Sequence, residues 1–553
     1  MNIYKYISDK IKSAIGENAG LEIPKNPEFG DFATNAAMVA AKAAGRNPRE
    51  MAAEIMQKIA EIDGVDSVSI AGPGFINIKM KDDFIIKSVA EEPQTLNHKP
   101  QTIDLDYGSY NVAKSMHIGH LRTSIVGDTF NRLGRFLGHR MISWNHMGDW
   151  GRPMALIIAW VEKHGIDIEK LSADELNKIY PAANSLAKED AEFMARAHFI
   201  KNEFQNGNPE FRAVYDKFLP IALDDMNDVV RRLNMLPFDN NLGERNAAGY
   251  LDAVEEILRG KNMITPSEGA MVIPVRREDD NAPMPPMMWT DSRGADTYDS
   301  TDIAAAYCKK ITDNPDRMIF FTDARQNLHF AQLFRVCGMS GIYPESQMEH
   351  VGYGTINGTD GTPLKTRDGN AAGLRDMINI ANEAVLARAR ESEKTLPDET
   401  MEMIALAALK FNDLSHDVRS DYVFDPKQIS SFDGRTGPYI LYAAVRLNSV
   451  LARAESAAAA PTRLHADERT LLLKINDLEN VVNGAFARRD PSLLANFVYD
   501  LAQMANGYYH NFPILRSDVD AETRAGRLWI VEKIAQALTT GLDLMGLRVP
   551  AEM

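Results

Sequence analysis

The sequence predicts a multidomain α/β protein: a parallel-sheet core with a helical insertion, a small α+β domain before that core and an all-α bundle after it. Residues 103–107 alternate apolar and polar side chains, as a strand does, and apolar residues then recur at helical spacing over 121–137. Beyond about residue 376 the apolar periodicity is helical, with clear stripes over 494–508 and 531–542. A chain of 553 residues is long enough for several such domains.

Turn signals and shifts in composition set the expected domain boundaries. In the first domain, Asn47-Pro48 marks the start of a helix, and a Gly-Pro-Gly turn at 72–74 joins two strands. The predicted segments are 1–90 for the α+β domain, 91–102 for a linker, 103–375 for the core with its insertion at about 160–285, 376–434 for a helical connection and 435–553 for the final bundle.

The charge of the chain is unevenly distributed. The net charge is −16 at pH 7, which argues against a protein that binds nucleic acid non-specifically. Residues 435–553, however, carry equal numbers of basic and acidic side chains, and most of the basic ones are arginine. This end is the better candidate for a phosphate-rich partner, although a solvated helical surface would have the same composition.

Cysteine content and the N-terminus bear on location. The two cysteines, Cys308 and Cys337, lie far apart, so a disulfide framework is not expected. The N-terminus lacks the apolar core of a signal peptide, and no apolar run is long enough to span a membrane. We therefore expect a cytoplasmic protein that does not interact with membranes.

The most informative segment is His117-Ile118-Gly119-His120, where the first core strand gives way to a helix. In an open α/β sheet ligands bind at the carboxyl ends of strands, and a helix N-terminus there suits phosphate. Gly119 allows a flat ring to approach the backbone, and the two imidazoles could donate to phosphate oxygens where charge develops. A coincidental pair, or half of a metal site, is the alternative. Since no cysteine or carboxylate lies nearby at ligand spacing, we expect no protein-bound zinc or other metal.

Segments along the whole chain are similar, in order, to the arginyl-tRNA synthetase family of class I aminoacyl-tRNA synthetases. Residues 111–122 resemble the first signature of that family. Residues 362–366, Thr-Pro-Leu-Lys-Thr, resemble a degenerate form of the second signature, Lys-Met-Ser-Lys-Ser: Lys365 matches its second lysine, and Thr362 stands at the first. The other similar segments are 30–35, 71–77, 145–151 and 436–442.

The resemblance implies a fold and an activity. The core would be a Rossmann-type catalytic domain, the N-terminal domain would contact the tRNA elbow, and the C-terminal bundle would bind the anticodon. The enzyme would be a ligase that activates L-arginine with ATP to arginyl-adenylate and transfers arginine to the 3′ end of tRNA(Arg). ATP would be a substrate that carries Mg²⁺ with it. Family analogy suggests a monomer.

The resemblance also assigns the amino-acid site. Asp106 and the Tyr298-x-x-x-Asp302 element would clamp the guanidinium, a planar and permanently charged group whose burial needs carboxylates. The α-amino and carboxylate ends would meet Asn111, His117 and Gln326. Asp106 replaces the glutamate of many members, so the pocket must close slightly or take a water. Considered alone, each aspartate would be an ordinary strand-end or helix-capping carboxylate.

For ATP, the resemblance assigns His117, Gly119, His120 and Lys365. Lys114 either substitutes for the lysine that is missing at Thr362 or is a solvated loop residue.

Unstacked anticodon bases suit stacking on aromatic rings and on guanidinium groups. Candidates in the final bundle are Tyr439, Tyr442, Arg446, Tyr508, Tyr509 and Trp529. Most tyrosines on helices are core residues, so a packing role is the alternative for each.

Three other functions are compatible with parts of the pattern. A non-synthetase nucleotidyltransferase would share the histidine chemistry but is usually a small single domain. A non-catalytic tRNA-binding paralogue would fit the substitution at Thr362 but not the intact His117, His120, Asp302 and Gln326. A class I synthetase for cysteine would need zinc-ligating cysteines, which two distant cysteines do not supply.

Overall fold

The computed structural model describes residues 1–15, 20–24, 26–91, 99–112, 114, 116–364, 373–391 and 396–553. The chain divides into two units. The helical unit comprises Met1–Asn97, Leu396–Ala407 and Ser431–Met553, and the sheet unit comprises His98–Thr395 and Ala408–Ser430.

The first part of the helical unit is an antiparallel sheet packed with helices. Its elements are α1 (Ile3–Ile15), β1 (Leu21–Glu22), β2 (Phe32–Thr34), α2 (Ala36–Ala44), α3 (Pro48–Ala60), β3 (Val65–Ala71), β4 (Phe75–Met80) and α4 (Asp82–Ala90). The strand order is β1-β2-β4-β3. Asn47 caps α3 by accepting the N–H of Arg49, and Pro48 occupies the first turn, where no N–H is needed. The predicted helix start and the predicted strand pair, β3 with β4, are confirmed.

The sheet unit alternates strands and helices. Its elements are β5 (Thr102–Asp106), α5 (Ile118–Phe136), β6 (Arg140–Met147), α6 (Arg152–His164), α7 (Ala173–Glu189), α8 (Ala191–Gln205), α9 (Pro209–Arg232), β7 (Asn240–Gly243), α10 (Glu244–Ala247), α11 (Leu251–Gly260), β8 (Thr265–Ser267), β9 (Ala270–Ile273), β10 (Met287–Thr290), α12 (Tyr298–Asp313), β11 (Arg317–Asp323), α13 (Asn327–Ser340), β12 (Met348–Tyr353), β13 (Ile356–Asn357) and α14 (Leu374–Glu391). Next come α15 (Asp398–Leu414), which contributes to both units, and β14 (Tyr422–Val423) and α16 (Pro426–Ile429).

The core sheet has five parallel strands in the order β12-β11-β5-β6-β7. After β5 the chain adds β6 and β7 on one side and later adds β11 and β12 on the other. The direction of strand addition therefore reverses between β5 and β11, which leaves a crevice at the carboxyl ends of these two strands. The predicted parallel-sheet core is confirmed.

Strand β5 is more buried than its alternating sequence predicts. Ile103, Asp104, Leu105 and Asp106 are all buried, because a parallel sheet is covered on both faces. Burial and the nearby carboxylate of Asp313 raise the pKa of Asp104 to about 8, so this carboxyl is protonated at neutral pH. The alternation of apolar and polar residues predicted the strand correctly, but it did not predict that the polar residues are buried as well.

The helical insertion is shorter than the predicted 160–285. Helices α6 to α9 lie between β6 and β7 and end at Arg232. Strand β7 belongs to the core sheet, where it pairs with β6, and β8 to β10 form a separate antiparallel sheet. These strands have only three or four residues and are partly polar, so their periodicity did not reveal them.

The remainder of the helical unit is a bundle, as predicted. Its helices are α17 (Gly437–Ala452), α18 (Ala466–Asn476), α19 (Leu478–Arg488), α20 (Ser492–Asn511) and α21 (Ala521–Leu544). The two apolar stripes lie on α20 and α21 and are largely buried. Among the residues the structure describes, no helix is long and apolar enough to cross a membrane.

Arg469 on α18 joins the bundle to the N-terminal sheet inside the helical unit. Its Nε donates to Asp31 Oδ1 at 2.8 Å, and its guanidinium also contacts Asp82 and the carbonyl oxygen of Met80. Bidentate arginine–carboxylate pairs are stronger and more directional than simple ion pairs. The two predicted terminal domains therefore pack as one unit.

Candidate active site

A cavity of about 300 Å³ lies at the carboxyl ends of the core strands. Its lining includes Asp106 at the end of β5, Asn111 in the loop after it and Gln326 just after β11. Tyr298 and Asp302 line it from α12. The structure thus brings together five of the six residues predicted for the amino-acid site. The sixth, His117, is not among the residues that line the cavity.

One face of α12 supplies much of the cavity wall. Tyr298, Asp302 and Lys309 lie four and then seven residues apart, so they project from the same side of the helix. Ala305 lies between them and also lines the cavity, and its small side chain leaves room for a ligand. The helix is fixed at its start by Thr297, whose side chain accepts the N–H of Ser300 in a capping box.

Asp106 has a partner within the protein. Its Oδ2 is in contact with Nζ of Lys309, which is buried and lies 4.8 Å from the ring centroid of Phe320. The other oxygen, Oδ1, is buried and has no hydrogen-bond partner among the described residues. The negative charge of Asp106 is therefore compensated, and one acceptor oxygen remains for a ligand.

Asp302 lies between two histidines. His329 Nε2 is 2.7 Å from Oδ2, and His146 Nε2 is 3.1 Å from Oδ1. Burial alone would raise the pKa of Asp302, but the two imidazoles hold it well below its usual range. Asp302 is therefore a carboxylate at neutral pH.

Four polar or charged residues that line the cavity were not predicted from the sequence. His146 lies inside segment 145–151, which resembles the family, and His329 lies three residues after Gln326, but the sequence assigned no role to either. Glu244, the first residue of α10, and Lys309 also line the cavity. Burial, together with Asp302 and Asp149, raises the pKa of Glu244 to about 7 against the effect of His146. No local pattern separates these two residues from surface charges on helices.

The two motif histidines cap helix α5. Gly119 N–H donates to His117 Nδ1 at 3.1 Å, and His117 N–H donates to His120 Nδ1 at 3.0 Å. Their rings are stacked with centroids 4.0 Å apart. Burial, His117 and Lys114 lower the pKa of His120 to about 3, and burial, Lys114 and Arg325 lower that of His117. Both rings are thus neutral, and because Nδ1 accepts in each, Nε2 carries the proton that can be donated to a ligand.

Gly119 is required by the ring of His117. A Cβ atom at position 119 would lie 2.9 Å from Cε1 and 3.0 Å from Nδ1 of His117. The flat ring that lies against this backbone is therefore the protein's own imidazole. The carbonyl oxygen of Gly119 accepts the hydroxyl of Tyr353 at 3.0 Å, which ties the start of α5 to β12.

Of the two lysines predicted to bind ATP, the structure describes only Lys114. Lys114 is exposed, with Nζ 5.2 Å from the ring centroid of Tyr180 on α7, and is near enough to lower the pKa of both motif histidines. Lys365 lies outside the described residues. Thr362 donates its hydroxyl to Asp360 at 3.0 Å in a tight turn.

In the helical unit, three of the predicted aromatic and basic residues form one cluster. The guanidinium of Arg446 lies 4.5 Å from the ring centroid of Tyr442 and 5.0 Å from that of Tyr509. Its Nη1 donates to Asn506 at 3.0 Å, and 37% of Tyr509 is exposed.

The other predicted residues of the bundle lie elsewhere. Trp529 and Tyr508 are buried, and the hydroxyl of Tyr508 donates to Glu468 at 2.9 Å. Tyr439 packs on Tyr499 with ring centroids 5.6 Å apart. Trp529 and Tyr508 are therefore core residues, as the packing alternative holds.

Two further features concern metals and cysteines. Within the described residues, no group of three or more histidine, cysteine, aspartate or glutamate side chains is arranged to hold a metal ion. Cys308 and Cys337 are buried free thiols.

Comparisons with known proteins agree along the whole chain. Residues 84–426 match the family model described as "tRNA synthetases class I (R), catalytic domain", residues 1–80 match "Arginyl tRNA synthetase N terminal domain" and residues 440–553 match "DALR anticodon binding domain". The chain is 36% identical over 560 residues to the arginine–tRNA ligase of Hyphomonas neptunium, covering 95% of this chain and 94% of that one. It is 35% identical to that of Alkaliphilus oremlandii, covering 96% and 95%.

Solved structures show the same fold. The arginyl-tRNA synthetase of Thermus thermophilus superposes with a TM-score of 0.85 at 21% identity, over 100% of both chains. That of Plasmodium falciparum gives a TM-score of 0.81 at 22% identity, over 100% of this chain and 98% of the other.

The parallel sheet, the capped histidine pair and the matched catalytic domain define a class I aminoacyl-tRNA synthetase. Within that class the relatives are specific: they are named arginine–tRNA ligases and align over nearly their full length. The chain belongs to the arginyl-tRNA synthetase family. The predictions of the fold class and of an arginine–tRNA ligase are confirmed.

The contact between Gly119 and His117 generates a prediction. We expect Gly119→Ala to displace the His117 ring and to lower arginine-dependent ATP–pyrophosphate exchange by about 10²-fold, as a shift of about 1 Å in a positioning group does. The thermal unfolding midpoint should change little, because His117 is an exposed side chain at the first turn of α5 and the hydrophobic core is untouched. Gly260→Ala at the end of α11, where an added Cβ meets nothing within 4 Å, is the matched control. Full activity in Gly119→Ala would show that the ring position is unimportant.

Proposed function

We propose that the cavity at the end of β5 and β11 is the arginine site, and that the histidine pair of α5 holds the phosphates of ATP. The observation that carries the proposal is the convergence of Asp106, Asn111, Tyr298, Asp302 and Gln326 on one cavity from separate parts of the chain. The guanidinium lies against Asp302 and Tyr298, with Oδ1 of Asp106 as a further acceptor. Asn111 and Gln326 hold the α-amino and carboxylate ends.

The ATP assignment is supported by charge and hydrogen bonding around the start of α5. His117 and His120 each present a neutral Nε2–H donor. The exposed Lys114 lies near enough to lower the pKa of both rings, and the exposed Arg325 lowers that of His117. We assign His117 to ATP alone, since it does not line the cavity.

We retain Lys365 as a phosphate ligand from its sequence. Gly373, which follows that segment, pairs with His117 in an antiparallel bridge, so the chain returns to the histidine pair directly after it.

The reaction needs no nucleophilic side chain. The carboxylate oxygen of arginine attacks the α-phosphorus of MgATP, the bond to the β-phosphate oxygen breaks, and arginyl-adenylate and pyrophosphate result. The protein holds the two substrates in line and donates hydrogen bonds to the oxygens where charge develops. The 3′-terminal ribose hydroxyl of tRNA(Arg) then attacks the adenylate carbonyl, which releases AMP.

For tRNA binding we propose that the Arg446 cluster, defined as Tyr442, Arg446, Asn506 and Tyr509, stacks on anticodon bases. Residues 1–90 would contact the tRNA elbow and residues 435–553 the anticodon. The enzyme would act as a monomer in the cytoplasm.

The first test of the arginine site is Asp302→Asn. Removing one charge partner of the guanidinium should raise the KM for arginine by about 30-fold, equivalent to about 2 kcal/mol, and leave the KM for ATP nearly unchanged. The assay is arginine-dependent ATP–pyrophosphate exchange in the presence of tRNA(Arg). Asp224→Asn, an exposed carboxylate on α9, is the control. A variant with a raised KM for ATP and an unchanged KM for arginine would contradict the assignment.

A second test concerns Lys114. If it substitutes for the lysine missing at position 362, Lys114→Ala should reduce the exchange rate at saturating substrates by about tenfold or more, since a charge that stabilises the transition state is lost. The KM for arginine should stay the same. Lys170→Ala, a surface lysine paired with Asp167, serves as the control. An unchanged rate would leave Lys114 as a solvated loop residue.

A third test concerns the Arg446 cluster. Arg446→Ala should raise the KM for tRNA(Arg) in aminoacylation by about tenfold, the effect expected from losing one stacking contact. Exchange at saturating tRNA should be unaffected. Arg453→Ala, at the C-terminal end of the same helix, is the matched control. Equal KM values for both variants would remove the cluster from the tRNA interface.

A further inference from the structure

His329 bridges two carboxylates of helix α12. Its Nε2 lies 2.7 Å from Asp302 Oδ2, and its Nδ1 lies 3.2 Å from Asp299 Oδ1. Asp299 is held in turn, because its Oδ2 accepts the backbone N–H of Met288 at 3.0 Å. Asp299 and Asp302 are three residues apart and so share one face of the helix. The ring is thus hydrogen-bonded to Asp302 through Nε2, and its Nδ1 lies within ion-pair distance of Asp299, beside the proposed guanidinium position.

His329 is charged at neutral pH. Burial opposes its charge, but the contacts with Asp299 and Asp302 outweigh burial and raise its pKa to about 9. Asp302 therefore faces an imidazolium before any substrate arrives. The charge that would attract a guanidinium is already compensated by the protein.

The other ionisable groups around His329 leave this charge in place. His350, on β12, has a pKa lowered to about 4 by burial and by His329 itself, so it is neutral. Tyr298, whose ring centroid is 5.2 Å away, has its pKa raised by burial and by Asp299 and stays a phenol.

The second imidazole beside Asp302 has a more mixed environment. Burial lowers the pKa of His146, but the contact with Asp302 has the larger total effect, and the net result is a raised pKa. The ionisable groups that interact with it are Asp106, Asp149, Glu244, Asp302 and Lys309. Glu244, with a pKa of about 7, is a second group that could release a proton when a cation binds.

A guanidinium bound at Asp302 would be a second cation on one carboxylate. Two like charges at this distance disfavour each other, and the weaker base loses its proton. Arginine does not deprotonate in proteins, whereas imidazolium does so readily. The guanidinium N–H groups would replace the Nε2–H of His329 at Asp302 Oδ2, while Nδ1 keeps its proton beside Asp299 Oδ1.

We propose that His329 is a positioning residue that occupies the place of the substrate's charge: it fixes Asp302 in the empty cavity and releases its Nε2 proton to solvent as arginine binds. The proposal rests on the assignment of this cavity to arginine. Binding is then an exchange of one cation for another. A neutral ureido analogue such as citrulline cannot drive this exchange, so the cavity selects for a strong base.

Calorimetry counts the protons. Arginine is titrated into the full-length enzyme at pH 7.5 in buffers of different ionisation enthalpy. The wild type should release about one proton, and His329→Gln, which keeps a donor for Asp302 but cannot be charged, should release almost none. Asp299→Asn should release less than the wild type, because one of the carboxylates that keeps the ring charged is gone. His164→Gln, an exposed histidine on α6, should match the wild type.

The pH dependence of the KM for arginine gives a second readout. Between pH 6.5 and 8.5 the wild-type KM should fall with pH more steeply than that of His329→Gln, by about a factor of ten per pH unit, as expected for one coupled proton. The α-amino group of arginine titrates identically with both proteins, so its effect cancels. A purely structural role for His329 would change the KM without changing its slope.

The alternatives give different results. Unchanged proton release in His329→Gln overturns the proposal, and so does release that is lost only in Glu244→Gln or in His146→Gln. Asp302→Asn tests the cavity assignment separately. If this variant binds arginine as tightly as the wild type, the assignment of the cavity is wrong. If it binds arginine weakly while the wild type releases no proton, the site is right and the proton exchange is wrong.

Discussion

The candidate site depends on the reversal of strand order between β5 and β11. Because the five core strands are parallel, their carboxyl ends meet at one edge, and the reversal separates the segments that follow β5 and β11. Asp106 and Gln326, more than two hundred residues apart in the chain, therefore line one cavity. The start of α5 lies at the same edge, and Arg325, beside Gln326, affects the pKa of His117. One topological feature thus supplies both the cavity proposed for arginine and the turn proposed for the phosphates of ATP.

Buried charges fix the elements around that edge. Burying an ion costs several kcal/mol unless its partner and remaining hydrogen bonds are supplied. Arg122, on α5 close behind the histidine pair, lies 3.3 Å from Asp413 and donates to the carbonyl oxygens of Gly354 and Ser420 at 2.9 and 2.8 Å. These contacts attach α5 to the end of α15, to the segment after it and to the residue that follows β12. Lys309, on α12, pairs with Asp106 at the end of β5 and so attaches that helix to that strand. The Lys309–Asp106 pair lies in the cavity wall itself and holds β5 against α12 there.

The sequence allowed the fold and much of the site to be predicted, because local patterns encode them. The strand-to-helix turn at His117, the cap at Asn47 and the stripes of α20 and α21 are all local signals. Strand β7 was missed because four partly polar residues carry no period. His146, Glu244, His329 and Lys309 were missed for a different reason. They are charged or polar residues that line one cavity only when β6, α10, α12 and α13 come together, and nothing within one element indicates that.

The partners of Asp106 and Asp302 differ in burial and in chemistry, and on our proposal this difference decides which one a substrate displaces. Lys309 is fully buried against the ring of Phe320, whereas His329 is only partly buried and its imidazole can lose a proton, so Asp302 is the carboxylate expected to exchange its partner. After the exchange, the charge around Asp302 is the same as before. The net gain on binding must then come from the geometry of the guanidinium, whose planar fork satisfies several acceptors at once. Lysine presents a single point of charge and cannot do so. On this proposal, discrimination between the two cationic amino acids follows from a cavity whose charge is compensated before the substrate binds.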